Sequence, residues 1–152
     1  MAASFSLPAC AIIFHAARDK YHDAVRNALI KDGWTITHDP LRLIWGKRDM
    51  YVDLGAKCLL AAEKDSRQIA VEIKSFAGNS EMADLEKALG QFTLYRTVID
   101  EIEPERTLYL AVPQRVIESL FQDDIGKLIL REKLVQVIGF DPAEETLVQW
   151  IN

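Results

Sequence analysis

The sequence predicts an α/β domain in which a mixed β-sheet is flanked by helices, in the rough order αβββαβαββ. A short polar break at residues 64–67 separates two apolar runs and is typical of a tight β-hairpin. A long helical stripe follows the hairpin, and residues 107–113 then form a continuous apolar run of the kind that is buried on both faces of a sheet. A strand, a helix and a buried strand in succession predict a crossover between parallel strands, so we expect the sheet to be partly parallel.

The first elements are predicted to be a helix over residues 19–32 and a strand over 34–38. Gly33 is expected to end the helix in the left-handed conformation that is common after helices. A second hairpin is expected from strands over 41–45 and 50–54, because polar residues and a glycine separate these runs. The residues that the first helix is expected to bury are Tyr21, Val25, Ala28 and Leu29.

The central hairpin is predicted from strands over 59–63 and 68–76. If the turn pairs Lys64 with Arg67, antiparallel counting places Leu59 directly opposite Glu72.

The long helix after this hairpin is predicted to begin at Asn79 or Ser80, since either side chain can cap a helix N-terminus. Gly90 lies inside the helix at a cost of about 1 kcal/mol relative to alanine, which suggests a close approach to another backbone. The residues expected on the buried stripe of the helix are Met82, Leu85, Leu89, Phe92 and Ile99.

The end of the chain is predicted to be mostly helical over 116–130 and to finish with strands over 134–140 and 146–151. With 152 residues, 49% hydrophobic and 27% charged, the chain suits one globular domain, which we assign to residues 16–152. Residues 1–15 lack the basic start of a signal peptide. They are interpreted as an N-terminal extension, and an added edge strand, a dimer contact and an upstream start all stay open for this segment.

A candidate site centres on the last strand of the central hairpin. Side chains alternate along a strand, so Glu72 and Lys74 share one face and lie about 7 Å apart. Asp53 has the parity to face Glu72, and Gly55 can supply the bend that brings it closer. Two carboxylates and an amine in this arrangement can hold a metal ion and its water. Glu63 has the same parity and is ranked second to Asp53 as the outer carboxylate.

Each of these residues also has a simpler interpretation. A solvated pair of Glu72 and Lys74 would be an ordinary surface ion pair, which contributes only about 0–1 kcal/mol. Gln91 either donates a hydrogen bond to a bound phosphate or metal-bound water, or is a solvated side chain beside the buried stripe. His22 in the first helix is interpreted first as a partly buried histidine and second as a residue turned toward the site.

Five runs of the chain resemble the XisH family, known as excision controlling factors of the fdxN element. They are YHDAVRNALIKDGWTITHDPL, VDLGAKCLLAAEK, IAVEIKSF, ALGQFTLYR and EPERTLYLAVP. The resemblance covers residues 19–152. It implies a relationship to the PD-(D/E)xK nuclease superfamily and a restriction-endonuclease-like core.

The resemblance implies which residues of this chain match the site of the superfamily. The first acid is Asp53, the second acid is Glu72, the lysine is Lys74 and the helix glutamine is Gln91. No proline precedes Asp53. The resemblance implies Mg²⁺ or Mn²⁺ held by Asp53 and Glu72, with the main-chain carbonyl of Ile73 as a further ligand. Lys74 would orient the attacking water or stabilise the transition state.

Two functions are consistent with this pattern. The first is a Mg²⁺-dependent endonuclease that acts on DNA and is associated with excision of a DNA element by site-specific recombination. The alternative is a non-catalytic, DNA-binding accessory factor that assists a recombinase on a nuclease fold. The formal charge of −5 argues against broad electrostatic capture of nucleic acid.

The expected partners are DNA and, by the resemblance, a protein of the XisI family. The sequence leaves a homodimer open. Nothing in the sequence indicates export, and the apolar stretch near the N-terminus is far shorter than the roughly 20 residues that span a bilayer. We therefore expect a cytoplasmic protein with no membrane contact.

The assignment of residues 1–15 as an extension predicts that their removal leaves the domain intact. The truncated chain, residues 16–152, should still unfold in one cooperative thermal transition, because few core contacts would be lost. Differential scanning calorimetry of both chains tests this. A broad, non-cooperative transition in the truncated chain would show that the segment belongs to the domain.

Overall fold

The computed structural model describes residues 19–53 and 59–152, except for the side chains of residues 52 and 53. In chain order the described elements are α1 (His22–Lys31), β1 (Thr35–His38), β2 (Ile44–Trp45), β3 (Arg48–Asp49), α2 (Met50–Asp53), β4 (Leu59–Lys64), β5 (Arg67–Ile73), α3 (Glu81–Ile102), β6 (Arg106–Pro113), α4 (Gln114–Ser119), α5 (Asp124–Arg131), β7 (Val137–Asp141) and β8 (Thr146–Ile151). Gly55 and the predicted extension, residues 1–15, lie outside the described residues.

A six-stranded mixed sheet forms the centre of the domain, with strand order β1-β4-β5-β6-β7-β8. The β1–β4, β4–β5 and β7–β8 pairs are antiparallel, whereas β5–β6 and β6–β7 are parallel. The predicted register of the central hairpin is confirmed, because Leu59 pairs with Glu72 and Lys64 pairs with Arg67. The predicted parallel crossover through the long helix is also present, and it makes β5 an interior strand of the sheet.

Helices cover both faces of this sheet. On one face α1 packs Val25 and Leu29 against alternate residues of the central strands, including Val71 and Ile73. On the other face α3 packs against the strand residues that alternate with those under α1. The members of this second cluster from α3 and the central strands include Leu59, Ala61, Ala70, Leu85, Ala88, Phe92, Tyr95 and Leu110. The predicted α/β architecture with helices on both faces is therefore confirmed.

The helix termini follow the predicted local chemistry. Ser80 is the N-cap of α3, and its hydroxyl accepts a hydrogen bond from the backbone N–H of Ala83 at 3.2 Å. Gly33 follows α1 with φ of +90°, a conformation that L side chains rarely adopt.

Two predicted elements differ from the structure. The strand predicted over 50–54 is wrong, because residues 50–53 form a short helix after the two-residue strands β2 and β3. The Asp49 carboxylate accepts the backbone N–H of Tyr51 at 3.0 Å and so turns the chain away from the strand path. The helix predicted over 116–130 is divided into α4 and α5, so the described order contains more elements than predicted.

Two predictions about the long helix are also corrected. Met82 is 52% exposed and does not join the buried stripe. Gly90 is exposed, and a side chain there would meet nothing within 4 Å, so the predicted close approach to another backbone is absent at Gly90. Close backbone contact occurs instead at Gly126 in α5, where an added Cβ would lie 2.1 Å from the carbonyl oxygen of Leu120.

Among the described residues, no helix combines the length and apolar character needed to cross a membrane.

These two glycines give opposite expectations for stability. Gly90→Ala should stabilise the protein by about 1 kcal/mol, since alanine restricts the unfolded chain and meets open space in the helix. Gly126→Ala should destabilise it by about 2 kcal/mol or more, because the helix must move off the backbone of Leu120. Urea denaturation of the two variants measures both effects. Equal shifts of the two variants would contradict the packing described for α5.

Candidate functional site

Glu72 lies near the C-terminal end of β5, on the sheet face that α3 covers. Its strand neighbours are Leu59 of β4 and Leu110 of β6, so apolar residues flank it on both sides. By strand alternation Glu72 shares its face with Ala70, which packs in the cluster under α3. Only 2% of Glu72 is exposed. Because β5 is an interior strand, the carboxyl group of Glu72 lies where water does not hydrate it.

The burial changes the acidity of this group. Loss of hydration raises the pKa of Glu72 from 4.5 to about 7, and the charge of Lys74 opposes part of this rise. The Lys74 Nζ lies 3.7 Å from Oε1 of Glu72. The other carboxylate oxygen, Oε2, is buried and has no hydrogen-bond partner among the described residues. Burying a carboxylate oxygen without a hydrogen-bond partner costs free energy, so the Glu72 carboxyl group destabilises the folded state.

Gln91 presents a second unpartnered oxygen in the layer between α3 and the sheet. On the helix it lies between Ala88 and Tyr95, which both pack in the cluster that α3 forms with the sheet. Its Oε1 atom is buried and accepts no hydrogen bond from the part of the chain that the structure describes. Both Glu72 and Gln91 therefore keep an oxygen acceptor available within the same layer.

Lys74 connects the buried carboxyl group to an open cavity. The cavity has a volume of about 160 Å³, and its ionisable lining residues are Asp19, Lys74, Asp84 and Lys87. Asp19 accepts the backbone N–H of Ser75 at 2.8 Å and so ties the start of the first helix to the end of β5. Sequence reasoning missed Asp19, Asp84 and Lys87, because no local pattern signals that residues 56 positions apart, as Asp19 and Ser75 are, will meet.

The backbone after β5 adopts an unusual shape at this cavity. Phe76 has φ of +53°, which is uncommon for a residue other than glycine. Arg115 donates hydrogen bonds to the carbonyl oxygens of Ser75 and Phe76 at 2.6 and 3.3 Å. Gly78 lies so close to the Asp84 carboxylate that an added Cβ would be 2.7 Å from it, and its N–H donates to that group at 3.0 Å. Residues from three parts of the chain thus maintain the shape of the loop.

The other predicted site residues have different positions. The backbone of Asp53 ends α2, so the strand parity that aligned it with Glu72 does not apply, and its side chain lies outside the described residues. Glu63 is exposed and accepts a hydrogen bond from Gln68, roughly 13 Å along β4 from the level of Glu72. Ile73, predicted to offer its carbonyl, is the last residue of β5.

His22 is buried at the start of α1, where its Nε2 lies 2.7 Å from a carboxylate oxygen of Asp39. Arg26 reaches the other oxygen of Asp39 at 3.2 Å. The contact with Asp39 accounts for the burial of this ionisable ring. His22 belongs to α1, which packs on the sheet face opposite to that of Glu72. Within residues 19–53 and 59–152, no three His, Cys, Asp or Glu side chains come together as a metal-binding group.

The chain is similar to proteins of known structure and to a defined family. The family described as XisH protein matches residues 15–148. A crystal structure of a fdxN element excision controlling factor protein from Anabaena variabilis is 41% identical, with a TM-score of 0.79, over 87% of this chain and 98% of that chain. A crystal structure of an XisH family protein from Nostoc punctiforme is also 41% identical, with a TM-score of 0.80, over 88% of this chain and 100% of that chain. None of the curated proteins matches.

The raised pKa of Glu72 predicts a specific pH dependence of stability without metal. Between pH 4.5 and 7 the folded state holds a proton on Glu72 that the unfolded state releases, so stability falls as pH rises through this window. Glu72→Gln removes this contribution. The variant should therefore gain stability relative to wild type by as much as about 3 kcal/mol between pH 4.5 and 8.

Denaturant unfolding in the presence of a chelator, at half-unit pH intervals, measures this difference. Glu63→Gln is the matched control, because Glu63 is exposed. A difference between Glu72→Gln and wild type that stays constant across the window would contradict the proton uptake.

Proposed function

The chain belongs to the XisH family, and from this membership and the site geometry we propose that it is a metal-dependent, endonuclease-like protein that acts on DNA. The name of the similar Anabaena variabilis protein points to control of fdxN element excision. The proposal assigns this chain to excision of a DNA element, with phosphodiester hydrolysis as its reaction. A restriction-endonuclease-like core, with Asp53, Glu72, Lys74 and Gln91 as its site, is part of the same proposal.

The buried carboxyl group of Glu72 is the observation that carries this proposal. Its Oε2 has no partner, its pKa is near neutral and a lysine amine lies 3.7 Å from its other oxygen. Strongly perturbed acids beside a charge partner are concentrated at functional sites. The group also lies near the carboxyl end of β5, which runs parallel to β6, and open α/β sheets bind ligands beyond the carboxyl ends of their strands.

The available donor atoms suit a hard divalent cation such as Mg²⁺ or Mn²⁺. Glu72 Oε2 and Gln91 Oε1 are oxygen atoms that lack partners, and Mg²⁺ prefers oxygen ligands and retains several waters. Glu72 would hold the ion, with Asp53 and the carbonyl of Ile73 as the further proposed ligands. A bound ion would lower the pKa of a coordinated water and offset negative charge on a phosphate.

The residues of the chain supply the remaining parts of this reaction. Lys74, 24% exposed, extends from Glu72 into the cavity, where its ammonium group can orient a water or bind a phosphate oxygen. Lys87 adds a second cation to the same cavity. Gln91 can steady the arrangement through its amide. The loop after β5, fixed by Asp19 and Arg115, keeps Lys74 in position.

A non-catalytic accessory role in excision is the second candidate, and one observation favours it. The side chain of Glu72 is only 3% exposed, which restricts the access of a phosphodiester to it. The net charge of −5 also suits a protein that reaches DNA through a partner. In this role the chain would bind DNA together with a recombinase and a protein of the XisI family, in the cytoplasm.

The metal proposal predicts a rise in melting temperature with millimolar Mg²⁺ or Mn²⁺, because a ligand that binds only the folded state stabilises it by RT ln(1 + [M]/Kd). Glu72→Gln removes one anionic ligand at nearly constant volume and should abolish the rise. Glu63→Gln should retain it. Thermal melts across a metal titration at pH 8, where Glu72 is ionised, test this. The accessory role gains support if wild type shows no rise, or if Glu72→Gln responds as wild type does.

Lys74→Met separates metal binding from cleavage. The variant keeps the Glu72 carboxylate, so the metal-induced rise in melting temperature should persist at pH 8. Cleavage of plasmid DNA should fall by about 100-fold or more, because the lysine acts on the water and the phosphate. Gel assays of nicking with Mn²⁺ measure the rate. Cleavage by Lys74→Met at the wild-type rate would exclude the proposed role of the lysine.

A further inference from the structure

Four large apolar side chains are exposed together along one groove. Met82 of α3 is 52% exposed, Ile125 and Leu128 of α5 are 38% and 41% exposed, and Leu134 after α5 is 44% exposed. They line an open groove of about 580 Å³ between α3 and α5. Contiguous apolar exposure of this kind marks a binding surface in soluble proteins, whereas single exposed residues do not.

The spacing of the lining residues gives the groove a helical shape. Met82, Leu85 and Leu89 follow one another at helical intervals on α3. Ile125 and Leu128 do so on α5, and Glu132 lies directly after its last residue. Two neighbouring helices with such rows form a groove into which a third helix packs its own side chains. The lining residues on each helix extend over roughly two turns, which corresponds to about seven or eight residues of a bound helix.

Contacts at both ends of α5 fix the position of this helix beside the groove. Gly126 lies against the backbone of Leu120 and Phe121 so closely that α5 is held in place there. Arg96 of α3 donates hydrogen bonds to the carbonyl oxygens of Lys133 and Leu134 at 3.3 and 3.4 Å. These contacts fix the position of α5 relative to α3, and Met82 and Leu128 stay exposed between the two helices. The groove is therefore present in the chain without a bound partner.

The charge of the groove indicates what kind of helix fits it. Its two charged lining residues are Glu86 from α3 and Glu132 directly after α5, and both are exposed. Arg131 reaches Glu132 at 3.6 Å, but such an exposed pair contributes little. A second copy of the chain that docked by this same face would bring two further carboxylates against these two. Basic side chains beside an apolar stripe complement them.

We propose that this groove is a docking site for an amphipathic helix of a partner protein, with an apolar stripe flanked by lysine or arginine. The inference is independent of the nuclease proposal, although the bound helix would contact α3, whose residues Asp84 and Lys87 line the cavity beside Lys74. Helix-in-groove recognition of this kind uses apolar anchors at i, i+3 or i+4 and i+7.

The test uses three fluorescent peptides of equal length and the full chain. The first combines a leucine stripe at helical spacing with lysine, the second replaces each lysine by glutamate, and the third scrambles the first. Fluorescence anisotropy at low salt should show saturable binding of the lysine peptide and binding at least about tenfold weaker for the other two. Glu86→Gln with Glu132→Gln should reduce the preference for lysine over glutamate.

Leu128→Gln should weaken binding of the lysine peptide by about tenfold, since it places an amide in the groove. Leu94→Gln is the matched control, because Leu94 is 49% exposed on α3 but does not line the groove. If Leu128→Gln lowers the melting temperature strongly, Met82→Gln takes its place.

Four results would overturn the proposal. They are absence of saturable binding, equal affinity for the lysine and glutamate peptides, equal effects of Leu128→Gln and Leu94→Gln, and a dimer in sedimentation velocity that Leu128→Gln dissociates. A further experiment measures the affinity of the lysine peptide for the chain without residues 1–15. A rise of about tenfold in peptide affinity would identify this chain's own segment as the occupant and would also overturn the proposal.

Discussion

An ionisable residue on an interior strand cannot keep its hydration, and this constraint shapes the candidate site. Strand β5 pairs with β4 on one side and β6 on the other, and helices cover both faces. Glu72 therefore has a near-neutral pKa and one oxygen without a partner. A buried unpartnered acid destabilises a fold, so its presence at a sheet end is characteristic of a site in which function opposes stability.

Lys74 is a cation that lies between the buried carboxyl group of Glu72 and the solvent. Lys74 follows Glu72 by two residues, which keeps both on the same face while Lys74 reaches the strand end. The loop beyond it is fixed by Asp19, Arg115 and the close contact of Gly78 with Asp84. The cavity thus depends on rigid contacts from the first helix, α3 and α4. Preorganisation of this kind is what electrostatic catalysis requires, and it serves equally well to position a phosphate for binding.

Helix α3 links the two surfaces of interest. One flank of the helix carries Asp84 and Lys87 beside Lys74, and another carries Met82 and Leu89 along the apolar groove. Under the two proposals above, one surface would contact a phosphate and the other a protein helix.

Local patterns in the sequence determined a large part of the architecture. The polar break at 64–67 predicted the hairpin and the pairing of Leu59 with Glu72, and Ser80 and Gly33 marked helix ends by the chemistry of caps. These features depend on residues close in the chain, where alternation and capping act directly. The same alternation placed Glu72 and Lys74 on one face.

The tertiary structure decided what depends on distant residues. Met82 and Leu85 belong to the same helical stripe, yet only Leu85 is buried, because Met82 borders the open groove between α3 and α5 whereas Leu85 packs in the core. Open space at Gly90 and crowding at Gly126 likewise depend on what lies nearby rather than on the helix itself. The burial of Glu72 has the same origin. An E-x-K pattern predicts a shared face, but the loss of water that raises the pKa of Glu72 requires two neighbouring strands and a helix from other parts of the chain.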